Sequence, residues 1–393
     1  MPPGRITKAP AVSYPLEGRR QPTGRSAATR DSLSDSFAFS LLPASGGGGG
    51  SEGPGGNGCR VAQAKRQKEA AMEEVRKLAA QLEDAFDARD IEALEAVAAW
   101  GNHDLSGRVA IVTGGGRGIG RLVAEALAGA GALVAVTARS EDQLAETVAS
   151  ITSEGGTAIA LPGDVSDPDS VTQAVHQVER RLGPVDLLIN NAGISGPVGP
   201  VWEVDAGEWW RTFGVNLQGV FLFSHAVLPG MVARRAGRII NVASNAGAFR
   251  WPLASAYAVS KSAVIKFTEN VARETKDYGV KVFAIHPGLL PIGMTTVALD
   301  GSFPSESPAG RIAAWARGRI DGGHGATPES AVELVLLLSS GKADSLSGCY
   351  LTVHDDLWAI VTQAQQVRAN DLYTLQVRRP ARSAANDHVP LPG

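Results

Sequence analysis

Arg108-Val-Ala-Ile-Val-Thr-Gly-Gly-Gly-Arg-Gly-Ile-Gly120 is the stretch that decides the fold of this chain. Residues 108–113 form a short apolar, β-branched run of the kind that makes a buried strand. The residues after Gly120, Arg121-Leu-Val-Ala-Glu-Ala-Leu-Ala128, carry a helical pattern. The glycines therefore fall at a strand-to-helix turn, where the free N–H groups of the first helical turn face an anion. Gly114 permits the tight turn, Gly118 lets the backbone approach a ligand, and Gly120 lets the helix pack on the strand. An isolated glycine run is often an ordinary turn, but a strand before it and a helix after it point to a pyrophosphate cradle.

The same alternation continues outward. Strands are predicted over 108–113, 132–137, 157–161, 185–189, 237–242, 280–285 and 348–353. Helices are predicted over 118–129, 141–154, 168–182, 205–229, 254–278 and 328–340. Strands that alternate with crossover helices require a parallel sheet, and right-handed crossovers make it doubly wound. The long connection 286–327, with its Gly and Pro, reads as a lid over the site. After residue 356 the pattern predicts a helix and a short extended piece, 373–377, and the residues from 379 on read as loose.

A second motif lies downstream, Tyr257-Ala-Val-Ser-Lys261, inside the helical pattern 254–278. Positions i and i+4 share one helix face. An ammonium beside a phenol favours the phenolate and draws its pKa down from about 10, so Tyr257 is expected to serve as an acid/base near neutral pH. Asn241-Val-Ala-Ser244 ends the preceding strand, which puts Ser244 at the carboxyl edge of the sheet, where ligands bind.

These motifs, together with Asn190-Asn-Ala-Gly193, Gly163-Asp-Val165, Asn216 and Pro287-Gly288, closely resemble the short-chain dehydrogenase/reductase family over about residues 104–355. The resemblance implies a seven-stranded Rossmann fold and an oxidoreductase that moves a hydride between a nicotinamide cofactor and a secondary alcohol or ketone. It implies a tetrad of Tyr257 as general acid/base, Lys261 tuning it and holding the nicotinamide ribose, Ser244 orienting the substrate oxygen, and Asn216 holding a water that relays protons. It implies cofactor contacts from Gly114, Gly116, Arg117, Gly118, Ile119, Gly120, Arg139, Asp164, Val165, Asn191, Ala192, Gly193, Tyr257, Lys261, Pro287 and Gly288. Two positions depart from the family pattern. Ile292 stands where a threonine usually contacts the carboxamide, which leaves that contact to the backbone or to Thr295, and the last strand ends Val353-His-Asp-Asp356 in place of Val-Asp-Gly-Gly. With the tail Asp371-Leu-Tyr-Thr-Leu375, this ending resembles a subgroup with a C-terminal extension.

The second strand ends Val136-Thr-Ala-Arg-Ser140, so Ala138 stands where an acid would hold a ribose 2′-hydroxyl. Arg139 follows and Arg117 lies in the glycine loop, and two guanidiniums suit a 2′-phosphate. NADP is therefore favoured over NAD. Asn245, Phe249, Trp251, His286, Met294 and Trp315 are the candidate substrate-pocket residues, a mostly apolar and aromatic set. Two other readings use the same residues: a nucleotide-binding sensor or scaffold without turnover, and a lyase or epimerase that uses the cofactor transiently.

The 393 residues are 44% hydrophobic with a formal charge of −3, which suits a globular enzyme and gives no sign of a nucleic-acid surface. Only Cys59 and Cys349 are present, so no disulfide framework or cysteine-based metal site is expected, and a reducing, cytoplasmic compartment fits. No metal is expected from the histidine spacing. No run of 18 uninterrupted apolar residues occurs, so no membrane span is expected. Residues 1–65 read as a disordered tail, rich in Pro, Ser, Arg and Gly. The first 30 residues hold six Lys or Arg and one acid, but their prolines and lack of amphipathic pattern argue against a transit peptide. Residues 66–103 read as a helical extension, followed by the catalytic domain over 104–356 and a C-terminal extension over 357–393. Family members commonly pair through the two long helices, here about 205–229 and 254–278, so a homodimer or homotetramer is expected.

Overall fold

The computed structural model describes residues 103–377. The expected tail over 1–65, nearly all of the helical extension 66–103, Cys59 and the loose segment from 379 on lie outside the described residues.

Seven strands form one parallel sheet. They are β1 (Val109–Thr113), β2 (Leu133–Ala138), β3 (Thr157–Pro162), β4 (Leu187–Asn190), β5 (Gly237–Val242), β6 (Val280–His286) and β7 (Tyr350–Thr352). Their order across the sheet is β3-β2-β1-β4-β5-β6-β7. The chain steps outward from β1 to β3, then returns to the far side of β1 to begin β4. That reversal places the switch point, the usual ligand crevice, beyond the carboxyl ends of β1 and β4. The register aligns those ends: Val112 lies opposite Ile189, Asn190 opposite Asn241, Val242 opposite Ile285, and His286 opposite Thr352.

The strands are apolar on both faces because helices cover both. Val112, Val136, Ile189, Ile240, Phe283 and Ile285 face one layer, made by α1 (Gly118–Gly129), α2 (Glu141–Ser153) and α10 (Pro328–Ser340). Ile111, Leu188, Ile239 and Val282 face the other, made by α3 (Pro168–Arg181), α5 (Gly219–Arg234) and α7 (Ser255–Glu274). Helix starts follow their sequence signals. Asp167 accepts N–H groups ahead of Pro168, and Thr327 does so ahead of Pro328.

The helix expected over 205–229 begins as α4 (Ala206–Phe213), widens into a π-helical turn at Gly214–Gln218, and runs on through Pro229 to Arg234. A helical proline forfeits a hydrogen bond, but Met231, fully buried two residues later, anchors the last turn. By length and composition, Ala206–Arg234 would suffice to cross a membrane. Here its Val220, Phe223, Val227 and Met231 are buried in the core. The helix expected over 254–278 stops at Glu274 and closes in a 3₁₀ turn at Lys276–Tyr278, before Gly279 in the left-handed region.

Between β6 and β7 the connection expected to act as a lid carries α8 (Met294–Leu299) and α9 (Pro308–Asp321), after α6 (Asn245–Ala248) earlier in the chain. Past β7 lie α11 (Leu357–Thr362) and α12 (Ala364–Ala369), whose Ile360, Ala364 and Val367 join the core. The extended piece expected over 373–377 adds no strand. Asp371 and Tyr373 adopt positive φ, 48° and 61°, which breaks the extension a strand needs.

Candidate active site

Four sequence-predicted segments meet at the carboxyl ends of β1, β4 and β5. Gly114 turns at φ 66° and its N–H donates to the Thr137 carbonyl at 2.7 Å. A Cβ on Gly120 would stand 2.2 Å from the Gly114 carbonyl oxygen, so only glycine lets α1 begin there. Arg117 caps α1 without a side-chain hydrogen bond, which leaves the first-turn N–H groups facing outward. The second asparagine of Asn190-Asn191 braces this loop. Its Nδ2 donates to the Thr113 carbonyl at 2.9 Å, while Thr113 Oγ1 accepts the N–H groups of Asn191 and Ala192, each at 3.0 Å. Asn190 serves the core instead, donating to Asn241 Oδ1 at 2.8 Å.

The π turn puts Asn216, fully buried, behind the end of β4. Its Oδ1 accepts the Ile194 N–H at 2.8 Å, and its Nδ2 donates to the Ile194 carbonyl and to Ser260 Oγ, both at 3.0 Å. Asn216 therefore ties the loop after β4 to the helix that carries Tyr257 and Lys261. A Cβ on Gly193 would stand 3.3 Å from Asn216 Oδ1 and 3.6 Å from Lys261 Nζ, so the bare glycine brings the loop after β4 close against both side chains.

Ser244 lies two residues past the end of β5 and caps α6, its hydroxyl accepting the Ala246 N–H at 3.2 Å. It also hydrogen-bonds the Tyr257 phenol. Lys261 is buried, donates to the Val242 carbonyl at 2.6 Å, and lies 5.8 Å from the centre of the Tyr257 ring. The expected depression of the Tyr257 pKa is reversed. Burial raises it, and the hydrogen bond with Ser244 opposes that rise only in part. Burial also lowers Lys261, to about 8, so its own charge is held less firmly than an exposed lysine's.

The other expected contacts surround this centre. Arg117 and Arg139 are exposed at the β1 and β2 ends. Asp164 is held ionised chiefly by Ser166, whose hydroxyl donates to its Oδ1 at 2.6 Å, with Arg139 a lesser influence. Val165 is buried and Ile119 partly so. Gly288 adopts φ 85° where a Cβ would strike Ala326, so Pro287-Gly288 starts the lid close to its far end. Gly116 backs onto Gln143, and a Cβ on Gly118 would stand 3.0 Å from Gly293 Cα in the lid.

Of the pocket candidates, Trp251 and Trp315 meet edge to face at 4.8 Å and join the lid to the catalytic side. Phe249 and Met294 are exposed nearby in sequence. His286 is held neutral by burial, its pKa near 4. Asn245 is committed elsewhere: its Oδ1 accepts the Tyr350 hydroxyl at 2.8 Å. Sequence reasoning missed Tyr350. It lies 105 residues from Asn245, and no local pattern links them. The unusual ending also has a structural account. Asp355 accepts the Thr352 N–H at 2.6 Å, and Asp356 caps α11 through the Ala359 N–H at 3.0 Å, so the two acids start the extension. Among the described residues, no three His, Cys, Asp or Glu side chains converge to hold a metal ion.

The short chain dehydrogenase family model matches residues 108–300. A short chain dehydrogenase of Pseudocercospora fijiensis is 46% identical over 47% of this chain, which spans only 60% of that relative. The 2-(S)-hydroxypropyl-CoM dehydrogenase 3 of Xanthobacter autotrophicus is 34% identical over 65% of this chain and 98% of its own length. A solved gluconate 5-dehydrogenase from Burkholderia cenocepacia, in complex with NADP and tartrate, superposes with a TM-score of 0.59 at 30% identity, over 66% of this chain and 99% of that one. The chain belongs to the short-chain dehydrogenase family of NAD(P)-using oxidoreductases.

Proposed function

We propose that this protein interconverts a ketone and a secondary alcohol, with Tyr257 as the general acid/base. The observation that carries the reading is the convergence of Ser244, Tyr257 and Lys261 just past the carboxyl end of β5. When bound, the nicotinamide cofactor delivers hydride to the substrate carbon or takes it away. The glycines fit such a group: α1 presents uncapped N–H groups to a phosphate, and the bare backbone of Gly193 lies close to Lys261.

In the reducing direction Tyr257 Oη gives its proton to the carbonyl oxygen, and in the oxidising direction it takes that proton back. Ser244 donates to the same oxygen and holds it within reach. Lys261 stabilises the phenolate that Tyr257 becomes once it has given up its proton. A water held between Asn216 and Lys261 would complete a relay that reprotonates Tyr257. Raised by burial, the phenol stays protonated at neutral pH, which favours the reducing direction there.

NADP is the favoured cofactor, with NAD the alternative. Ala138 offers no carboxylate to a 2′-hydroxyl, and exposed Arg117 and Arg139 suit a phosphate. The Trp251–Trp315 pair, with exposed Phe249 and Met294 as further candidates, suits a substrate with hydrophobic bulk. We also place the protein in the cytoplasm and as at least a dimer, through α5 and α7. Val220, Phe223, Val227, Val264 and Val271 of these helices belong to the protein's own core; Phe221 and Val259 are exposed apolar residues left for a partner. Turnover tests the reading: NADPH and NADH oxidation against a panel of ketones and aldehydes, with Tyr257→Phe as control.

A further inference from the structure

Tyr350 sits on β7 with its hydroxyl 2.8 Å from Asn245 Oδ1 and its backbone N–H donating to the Tyr373 carbonyl at 2.8 Å. Its ring is buried among Val220, Ala243, Val264, Ile265 and Ala284, with Leu375 of the tail against the same cluster. Asn245 directly follows Ser244 and opens α6, the four-residue helix that Ser244 caps. The tail is pinned to the helix that carries Tyr257. Leu375 N–H donates to Glu269 Oε1 at 2.7 Å, and Lys266 Nζ donates to the Leu375 carbonyl at 3.0 Å. β7 is the edge strand of the sheet, so its Tyr350 N–H would lack a partner on that side without the tail.

We propose that Tyr350 is a positioning residue for Ser244, acting through Asn245, and that the tail segment around Tyr373–Leu375 holds it in place; the consequence for turnover rests on the ketone/alcohol reading above. A helix as short as α6 has no stability of its own; its third residue is held by Ser262, whose hydroxyl donates to the Gly247 carbonyl at 2.6 Å, and its first residue, beside Ser244, by the Tyr350 hydroxyl. Loss of that hydroxyl frees Asn245 and with it the orientation of the Ser244 cap. The tail that distinguishes this chain is then part of how its site is held.

Tyr350→Phe removes the hydroxyl and keeps the ring in the cluster. Hydrogen exchange by mass spectrometry on the full chain is the first readout, because it needs no substrate. Amides of 245–248 should exchange about tenfold faster in Tyr350→Phe, the equivalent of one lost hydrogen bond, while those of α1 and α10 keep their wild-type rates. Unchanged exchange at 245–248, or faster exchange everywhere, would overturn the proposal. The second readout is kcat. Tyr350→Phe should lower it about tenfold in the wild-type background, leave the cofactor Kd unchanged, and lower it no further in a Ser244→Ala background. An equal fall in both backgrounds would show a general structural role instead. If the wild type turns over no substrate at all, the functional reading fails, and the exchange comparison still decides the role of Tyr350.

Discussion

The two halves of the sheet hold their sites by different means. On the β1–β4 side, the glycine loop is fixed by hydrogen bonds to its own backbone atoms and by the absence of side chains within it: the Gly114 N–H donates to the Thr137 carbonyl, the Asn191 amide donates to the Thr113 carbonyl, and Gly120 has no room for a Cβ. On the β5–β7 side, the proposed tetrad is fixed by side chains that reach across the fold, Asn216 to Ser260, Lys261 to Val242 and Tyr350 to Asn245. A loop held by its backbone tolerates no added atom. A site held by side chains tolerates substitutions but loses geometry with each one.

Tyr257→Phe should have the largest effect. It removes one ionisable oxygen, and kcat should fall by about 10²–10⁴-fold while NADPH binding, followed by fluorescence titration, stays intact. Gly120→Ala is the counterpart on the other side. Its Cβ meets a backbone oxygen 2.2 Å away that cannot swing aside, so overpacking should cost about 1–3 kcal/mol in a denaturant midpoint and weaken cofactor binding too. If Gly120→Ala bound NADPH normally, the contrast between the two sides would fail.

Ala138→Asp should shift the NADPH-to-NADH preference by about tenfold toward NADH, the effect of one repulsive charge beside the phosphate. Arg139→Ala should weaken NADPH more than NADH. Paired Kd measurements check both, and equal wild-type affinities would remove the basis for them.

How far these features were legible in the sequence follows the same division. The glycine loop was readable because its constraints are local: a strand, a turn and a helix within 21 consecutive residues, 108–128. Tyr257, Lys261 and Ser244 were readable because i, i+4 spacing and a strand end fix where they lie. The sign of the Tyr257 shift was not, because burial of the phenol depends on the whole surrounding fold and outweighs its neighbours. The link from Tyr350 to Asn245 was not readable either, since contacts of long sequence separation leave no periodic trace. The non-strand tail at 373–377 escaped for a local reason, the positive φ angles of Asp371 and Tyr373, which are uncommon outside glycine.

A pH prediction refines the side-chain half. Folded Lys261 titrates near 8 against an unfolded value of 10.5. Between those values the unfolded chain binds more protons, so the contribution of Lys261 to stability rises with pH across that window. Lys261→Met should therefore gain stability relative to wild type near neutral pH, and the difference should shrink as pH rises above 8 toward 10.5. Thermal melts of both proteins across that range check the sign. The smallest effect is expected from Leu375→Ala, about 1 kcal/mol for a partly buried side chain, with the loosening centred on β7 and the Asn245 turn.

The most direct test of the central claim is the absorbance of reduced cofactor followed to completion with limiting ketone. The account predicts that wild-type protein oxidises NADPH in a one-to-one ratio with an apolar ketone, and that Tyr257→Phe binds NADPH but leaves the absorbance unchanged. Cofactor that binds yet is not consumed by the wild type across the whole carbonyl panel, or turnover undiminished in Tyr257→Phe, would contradict it.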